Sequence, residues 1–151
     1  MNKIQSFTVN HLTLTPGLYI SRTDGDITTY DLRTKTPNTD DLMDNSTMHS
    51  CEHMLATFLR NSKIKDDIIY FGPMGCQTGF YLLVKNAKHT EVIEVLKDCL
   101  EKICKYSGEV FGKSAIECGN YKNLDIQKAK KQCAEYLEII KNADENSLYY
   151  K

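Results

Sequence analysis

Apolar residues recur along this chain with two different periods, and the change of period separates strands from helices. Three short runs in the first third are rich in β-branched and aromatic residues: Ser6 to Val9, Gly17 to Ser21 and Ile27 to Arg33. Such runs predict strands. Thr23-Asp-Gly-Asp26 is a turn signal between the last two, so these two are expected to form a hairpin. Pro37 interrupts regular structure in the loop from Thr36 to Asp41. The spacing then becomes helical from Thr47 to Arg60, with Asn45 or Ser46 as the expected N-cap. Two more strands are predicted at Asp67 to Phe71 and Phe80 to Lys85, joined by the glycine-rich loop Gly72 to Gly79.

The clearest helix runs from Thr90 to Tyr106, where Val92, Leu96, Cys99 and Ile103 form one stripe. Ser114 to Glu117 reads as a short strand ending at Cys118. Asp125 caps a last helix whose apolar face is Ile126, Ala129, Cys133, Leu137 and Ile140. The polar tail from Asp144 is expected to fray. Early strands followed by interspersed helices argue for an α+β fold, an antiparallel sheet with helices packed on one face. At 151 residues a single domain over 1–151 is expected, with no internal repeat.

Charge changes the picture mainly by exclusion. A net charge of −1 removes the electrostatic case for nucleic acid or an anionic membrane surface as partner. No window approaches the ~20 apolar residues of a membrane span. The first residues do not resemble a signal peptide, so the expected location is the cytoplasm. The six cysteines stand at 51, 76, 99, 104, 118 and 133. In a reducing compartment they read as thiols rather than a disulfide framework. Cys99, Cys104 and Cys133 lie on apolar helical faces, and Cys51 aligns with Met48, Leu55 and Phe58, so these four read as core. Cys76 and Cys118 sit beside glycine, outside any helical stripe.

Candidate chemistry centres on His49-Ser-Cys-Glu-His53. Residues four apart on a helix have Cβ atoms ~5–6 Å apart. Two imidazoles at that spacing can converge on one metal ion at ~2.0–2.1 Å each. Glu52 borders the same face and is free for acid–base work. The pattern is H-x-x-E-H, the reverse of the zincin signature. Its bland reading is two polar residues on a solvated face. Cys118, followed by Gly119, would complete a ligand set of two histidines and one thiolate, leaving a position open. Alone, Cys118 would read as another buried thiol. Cys76 lies in a loop able to present one side chain in a fixed direction, and a nearby cation would favour its thiolate. The same loop could be a phosphate nest, but it lacks the P-loop lysine spacing. Arg33 is the candidate cation, with a surface arginine as the alternative.

These blocks together resemble the S-ribosylhomocysteine lyase (LuxS) family. His49-Ser-Cys-Glu-His53 looks like the family's His-Thr-Leu-Glu-His. Pro73-Met-Gly-Cys-Gln-Thr-Gly-Phe-Tyr81 matches the loop around its reactive cysteine almost letter for letter. Glu117-Cys-Gly119 resembles the segment of the metal thiolate, and Asp31-Leu-Arg33 with Pro37-Asn38 the strand of the active-site arginine. The resemblance implies a metal-dependent carbon–sulfur lyase. Cys76 and Glu52 would be catalytic, His49, His53 and Cys118 metal ligands, and Ser6, His11 and Arg33 substrate contacts. It further implies iron(II), with zinc or cobalt as substitutes, and a homodimer with sites at the interface. Several positions depart from the family pattern: Cys51 replaces a leucine, and Thr34-Lys35 stands where many members have Phe-Cys. Tyr70 stands for a common aspartate, Gly72 for serine and Leu124 for a histidine. Rival readings are a small H-x-x-E-H metallopeptidase and a non-catalytic zinc-binding module. The first does not explain the Cys76 loop, and the second would need a fourth protein ligand.

Overall fold

A computed structural model describes residues Met1–Lys151. Four strands form one antiparallel sheet in the order β1-β2-β4-β3. They are β1 (Gly17–Asp24), β2 (Ile27–Arg33), β3 (Ile68–Pro73) and β4 (Gly79–Lys85). Three helices complete the fold: α1 (Asn45–Leu59), α2 (His89–Lys105) and α3 (Ile126–Ile140). This is the expected α+β arrangement. Asp24 pairs with Ile27 across the β1–β2 turn, and Gly25 takes a left-handed φ of 59° there. The glycine lacks the Cβ that makes this conformation costly.

Side chains alternate across β2, and that alternation organises the molecule. Tyr30 and Leu32 point into the core and are fully buried. They pair in register with Leu82 and Phe80 of β4. Phe80 stacks on Phe71 of β3 at 5.2 Å between ring centroids. The helices supply the other side of this layer through Met54 and Leu59 of α1, Leu96, Leu100 and Ile103 of α2, and Ala129, Cys133 and Ile140 of α3. Asp31 and Arg33 therefore face the opposite way, yet both are buried.

Four local expectations need correction. Ser6 to Val9 is not a strand: Gln5–Phe7 is a 3-10 turn, with the Phe7 and Thr8 amides bonded to the carbonyls of Ile4 and Gln5. No strand lies alongside, so local hydrogen bonds satisfy the backbone instead. Ser114 to Glu117 is likewise a turn, closed by the Glu117 and Cys118 amides on the Ser114 carbonyl. The N-cap of α1 is Asp44, one residue earlier than expected, whose carboxylate accepts the Thr47 amide. The tail does not fray. Asp144 and Ser147 form a capping box, Leu148 is fully buried, and the Ile20 amide of edge strand β1 donates to the Leu148 carbonyl at 2.7 Å. Composition showed the tail's polarity but not the sheet edge that receives it. No helix is long and apolar enough to cross a membrane.

Hydrogen bonds from Thr47, then the Lys128 ammonium, hold the Asp44 carboxyl down at about 2. Its folded value lies below the unfolded one, so its stabilisation is complete above the ordinary carboxylate range. It is lost as pH falls toward about 2. Asp44→Ala is expected to cost about 1 kcal/mol at neutral pH. Urea unfolding at pH 7 and between about pH 4 and 2 checks this: the difference from the parent should shrink across that acid window.

Candidate active site

Helix α1 presents His49 and His53 one turn apart, with ring centroids 4.7 Å apart and planes crossed at 87°. Their Nδ1 atoms are already engaged. His49 Nδ1 is 2.6 Å from Asn123 Oδ1, and His53 Nδ1 is 2.7 Å from the Phe111 carbonyl. Both partners accept, so each Nδ1 carries the proton and each Nε2 keeps its lone pair. Cys118 Sγ sits 3.4 Å from His49 Nε2. The ligand atoms of His49, His53 and Cys118 all lie within 4.8 Å of one another. Tetrahedral bonds of ~2.3 Å to sulfur and ~2.0–2.1 Å to nitrogen place S and N ~3.5 Å apart. The donor set therefore fits one divalent ion with a coordination position left over. The Asn120 amide, 3.4 Å from Cys118 Sγ, adds a donor suited to a thiolate.

The same face of α1 fastens the loop that carries these partners. Ser46 Oγ donates to the Asn123 carbonyl at 2.6 Å, and Ser50 Oγ accepts the Asp125 amide at 2.8 Å. Residues 46, 49, 50 and 53 thus form one polar strip, with buried Cys51, Met54 and Leu55 turned to the core. Cys118 meets His49 only because this strip holds residues 118–125 against the helix. Gly112 has a φ of 73°, and a Cβ there would stand 3.1 Å from His53 Nδ1. Ser50, Phe111, Gly112 and Asn123 were not singled out from the sequence, and Ser46 was read only as a candidate helix cap, not as part of the site. The one available signal was that Ser46 and Ser50 share the helical face of the histidines. Leu124 is buried in the core. Glu52 is half-buried beside this strip, and its carboxylate makes no hydrogen bond or ion pair within the chain.

A second cluster surrounds Cys76. Its thiol is exposed at the tip of the loop between β3 and β4. Arg33 Nη1 donates to Thr78 Oγ1 at 2.8 Å and lies 3.9 Å from Cys76 Sγ. Thr78 Oγ1 is 3.0 Å from the same sulfur. Because a cationic donor occupies its oxygen, the Thr78 hydroxyl is free to point its proton at a thiolate. Thr78 is a further residue that sequence reasoning passed over. Arg33 Nη2 donates to Asp31 Oδ2 at 2.7 Å. Burial works against the Arg33 charge, but the Asp31 hydrogen bond and charge outweigh it, so the guanidinium stays protonated. Gln77 takes a left-handed φ of 65°, and a Cβ on Gly79 would stand 2.5 Å from the Leu32 carbonyl. Loop and strand approach this closely only with glycine there.

The two clusters are tied at the start of α1. Met43, just before the Asp44 cap, donates its amide to the Gln77 carbonyl at 3.0 Å and accepts Gln77 Nε2 at 2.7 Å. No hydrogen bond joins Cys76 or Arg33 to the His–His–Cys group within one chain. Ser6 lines a shallow cleft with Ile4, Tyr70, Tyr81 and Leu83 on the sheet's outer side. His11 is half-buried, and its Nδ1 lies 2.9 Å from the Val9 carbonyl. Neither bonds to the two clusters within the chain.

Comparison with known proteins adds three relatives and a family. The S-ribosylhomocysteinase (LuxS) family model matches residues 4–147. The chain is 46% identical to an S-ribosylhomocysteine lyase of Finegoldia magna, over 99% of both chains. It is 43% identical to one from Clostridium beijerinckii and 42% identical to one from Desulfotalea psychrophila, again over 99% of each chain.

Asn123 orients His49 without touching an ion, so Asn123→Ala should weaken metal binding ~10–100-fold while the fold persists. Competition against a chromophoric chelator, with circular dichroism as the fold control, measures this. Unchanged affinity would show that the Asn123 bond does not support the ligand.

Proposed function

The chain belongs to the S-ribosylhomocysteinase (LuxS) family and is a carbon–sulfur lyase acting on S-ribosylhomocysteine, and we propose that its two clusters divide the chemistry between metal binding and proton transfer. The products of that reaction are L-homocysteine and 4,5-dihydroxy-2,3-pentanedione. The observation that carries the reading is the convergence of His49, His53 and Cys118 in a chain that also sets Arg33 against Cys76.

The substrate is a ribose with homocysteine sulfur on C5. Its thioether leaves by β-elimination once a carbonyl stands at C3. The aldehyde of the opened sugar therefore moves from C1 to C2 and then to C3. Each move takes a proton from the carbon beside the carbonyl and returns one to the former carbonyl carbon. The internal redox balances, and no outside oxidant or reductant is needed. Loss of the C4 proton then expels the C5 sulfur as the homocysteine thiol.

His49, His53 and Cys118 hold one divalent ion per subunit, which when bound supplies Lewis acidity to the oxygens where enediolate charge develops. Iron(II) is the proposed ion, with zinc or cobalt as substitutes. The general affinity order favours zinc, so preparation decides which ion is found. Cys76 as thiolate and Glu52 as carboxylate are the proton-transfer groups, reaching different carbons of the sugar. Arg33 and Thr78 support the thiolate, and Arg33, Ser6 and His11 contact the substrate. Glu52 suits a proton carrier because no other side chain engages it.

We further propose that residues 1–151 act as one catalytic domain and work as a homodimer with sites at the interface. Exposed Ile4, Phe7 and Leu12 of the N-terminal arm, with Ile69 and Tyr70 of edge strand β3, supply apolar surface for it. That arm carries Ser6 and His11, which bond to neither cluster within one chain. The six free thiols suit a reducing compartment, the cytoplasm.

Reduced, iron-loaded protein is expected to release a new free thiol from S-ribosylhomocysteine. A thiol signal no higher than background, with metal bound, would sink the assignment. Cys76→Ala should abolish release while retaining metal; loss of metal instead would mean the roles of Cys76 and Cys118 are exchanged. Glu52→Gln should lower kcat by ~10²–10⁴-fold. Sedimentation should give a dimer mass, and Phe7→Asp should shift it toward monomer and reduce turnover. A monomeric, fully active parent would overturn the dimer.

A further inference from the structure

Arg33 and Asp31 are paired in an incomplete way. A guanidinium and a carboxylate buried together ordinarily align as a fork, with two parallel hydrogen bonds. Here only Nη2 reaches Oδ2, at 2.7 Å. Arg33 Nε and Asp31 Oδ1 are both buried without any partner. The atoms for the second arm are present and unused, although leaving buried polar atoms unpaired is costly. Some contact must favour the one-armed geometry.

That contact comes from the tail. The Tyr150 hydroxyl donates to Asp31 Oδ2 at 2.7 Å, the same oxygen that accepts Arg33 Nη2. The Tyr150 ring stacks on Tyr19 of β1 at 4.9 Å and 25°. Buried Leu148 and the hydrogen bond from the Ile20 amide fix the tail two residues earlier. Burial, and then the Asp31 charge, push the Tyr150 phenol up, so it remains a donor throughout the working pH range. A side chain this firmly seated determines how the carboxylate is turned.

We infer that Tyr150 is a positioning residue: by claiming Asp31 Oδ2 it keeps the Asp31–Arg33 pair one-armed and so leaves Arg33 Nη1 directed at Thr78 and Cys76. Without the phenol, Asp31 Oδ1 and Arg33 Nε are free to close the fork. Closing it swings Nη1 away from Thr78 Oγ1 and from the sulfur 3.9 Å off. The relay runs from Tyr150 to Asp31, Arg33, Thr78 and finally Cys76. The ionisable and charged groups facing that thiol are Arg33 of β2 and Tyr81 of β4, with Asp31 and Tyr150 one step behind, against Arg33.

The inference rests on Cys76 being the working thiol of the proposed reaction, so its test is read first without substrate. The full-length, metal-loaded protein is alkylated with iodoacetamide across a pH range, and modification at Cys76 is followed by mass spectrometry. Tyr150→Phe keeps the stacked ring and removes only the hydroxyl. It should slow Cys76 alkylation roughly three- to tenfold at neutral pH and move the pH–rate profile upward. kcat should fall by a similar factor, with KM, metal content and thermal midpoint nearly unchanged. Tyr150→Ala should show the same chemical effect together with lower stability. Tyr150→Phe that alkylates and turns over like the parent would overturn the proposal, leaving Tyr150 as packing alone. Slower alkylation in Tyr150→Phe, alongside a parent that releases no thiol, would sustain the positioning role and remove the lyase chemistry of Cys76 instead.

Discussion

The Asp31–Arg33 pair is the constraint on which the arrangement of this protein turns. It lies at the C-terminal end of β2, back to back with Tyr30 and Leu32, and its side chains are almost completely buried. Removing one partner of such a pair leaves an uncompensated charge, at a cost of ~3–5 kcal/mol. Everything that covers it must therefore be in place. Tyr19 of β1, Tyr81 of β4, the loop before β4 and the chain's last residues all converge there. The pair makes the Cys76 loop and the tail part of the folded sheet rather than appendages to it.

Helix α1 solves a different problem with the same economy of period. One face carries Met48, Cys51, Met54 and Leu55 into the core, and the strip containing His49 and His53 faces the loop of Cys118. Ser46 and Ser50 fasten that loop, and Asn123 and the Phe111 carbonyl set the tautomers. Neutral imidazoles with free Nε2 atoms and a thiolate supported by a backbone amide are what a divalent ion requires. The metal donors thus inherit their precision from a packed helix and a pinned loop.

In the proposed reaction the two clusters serve one substrate, one supplying Lewis acidity and the other reversible proton transfer at neighbouring carbons. Met43 and Gln77 hold their scaffolds in register at the start of α1. A shift of the Cys76 loop would strain the cap of the helix that bears the histidines. This coupling accounts for the strained conformations at Gln77 and the close approach at Gly79, positions that hold the loop rather than react.

Amino-acid order alone carried most of the element types, the α+β class and the family to which the chain belongs. Periods of two and 3.6 mark most strands and the helices, and H-x-x-E-H with the Cys76 loop carries a recognisable chemistry. Asp125 as a cap and Cys51 as core were also legible, because each depends on neighbours a few residues away. What failed locally depended on distant partners. Ser6 to Val9 had strand-like composition but no strand to pair with. The polar tail looked loose, yet it docks because β1 offers an open edge and Asp31 an acceptor. Likewise Thr78, Asn123 and Phe111 are ordinary residues in sequence, separated from their partners by dozens of positions. Only the tertiary structure decided which donor faces which acceptor, because hydrogen bonds and charge pairs act over a few ångströms in space and carry no periodic trace along the chain.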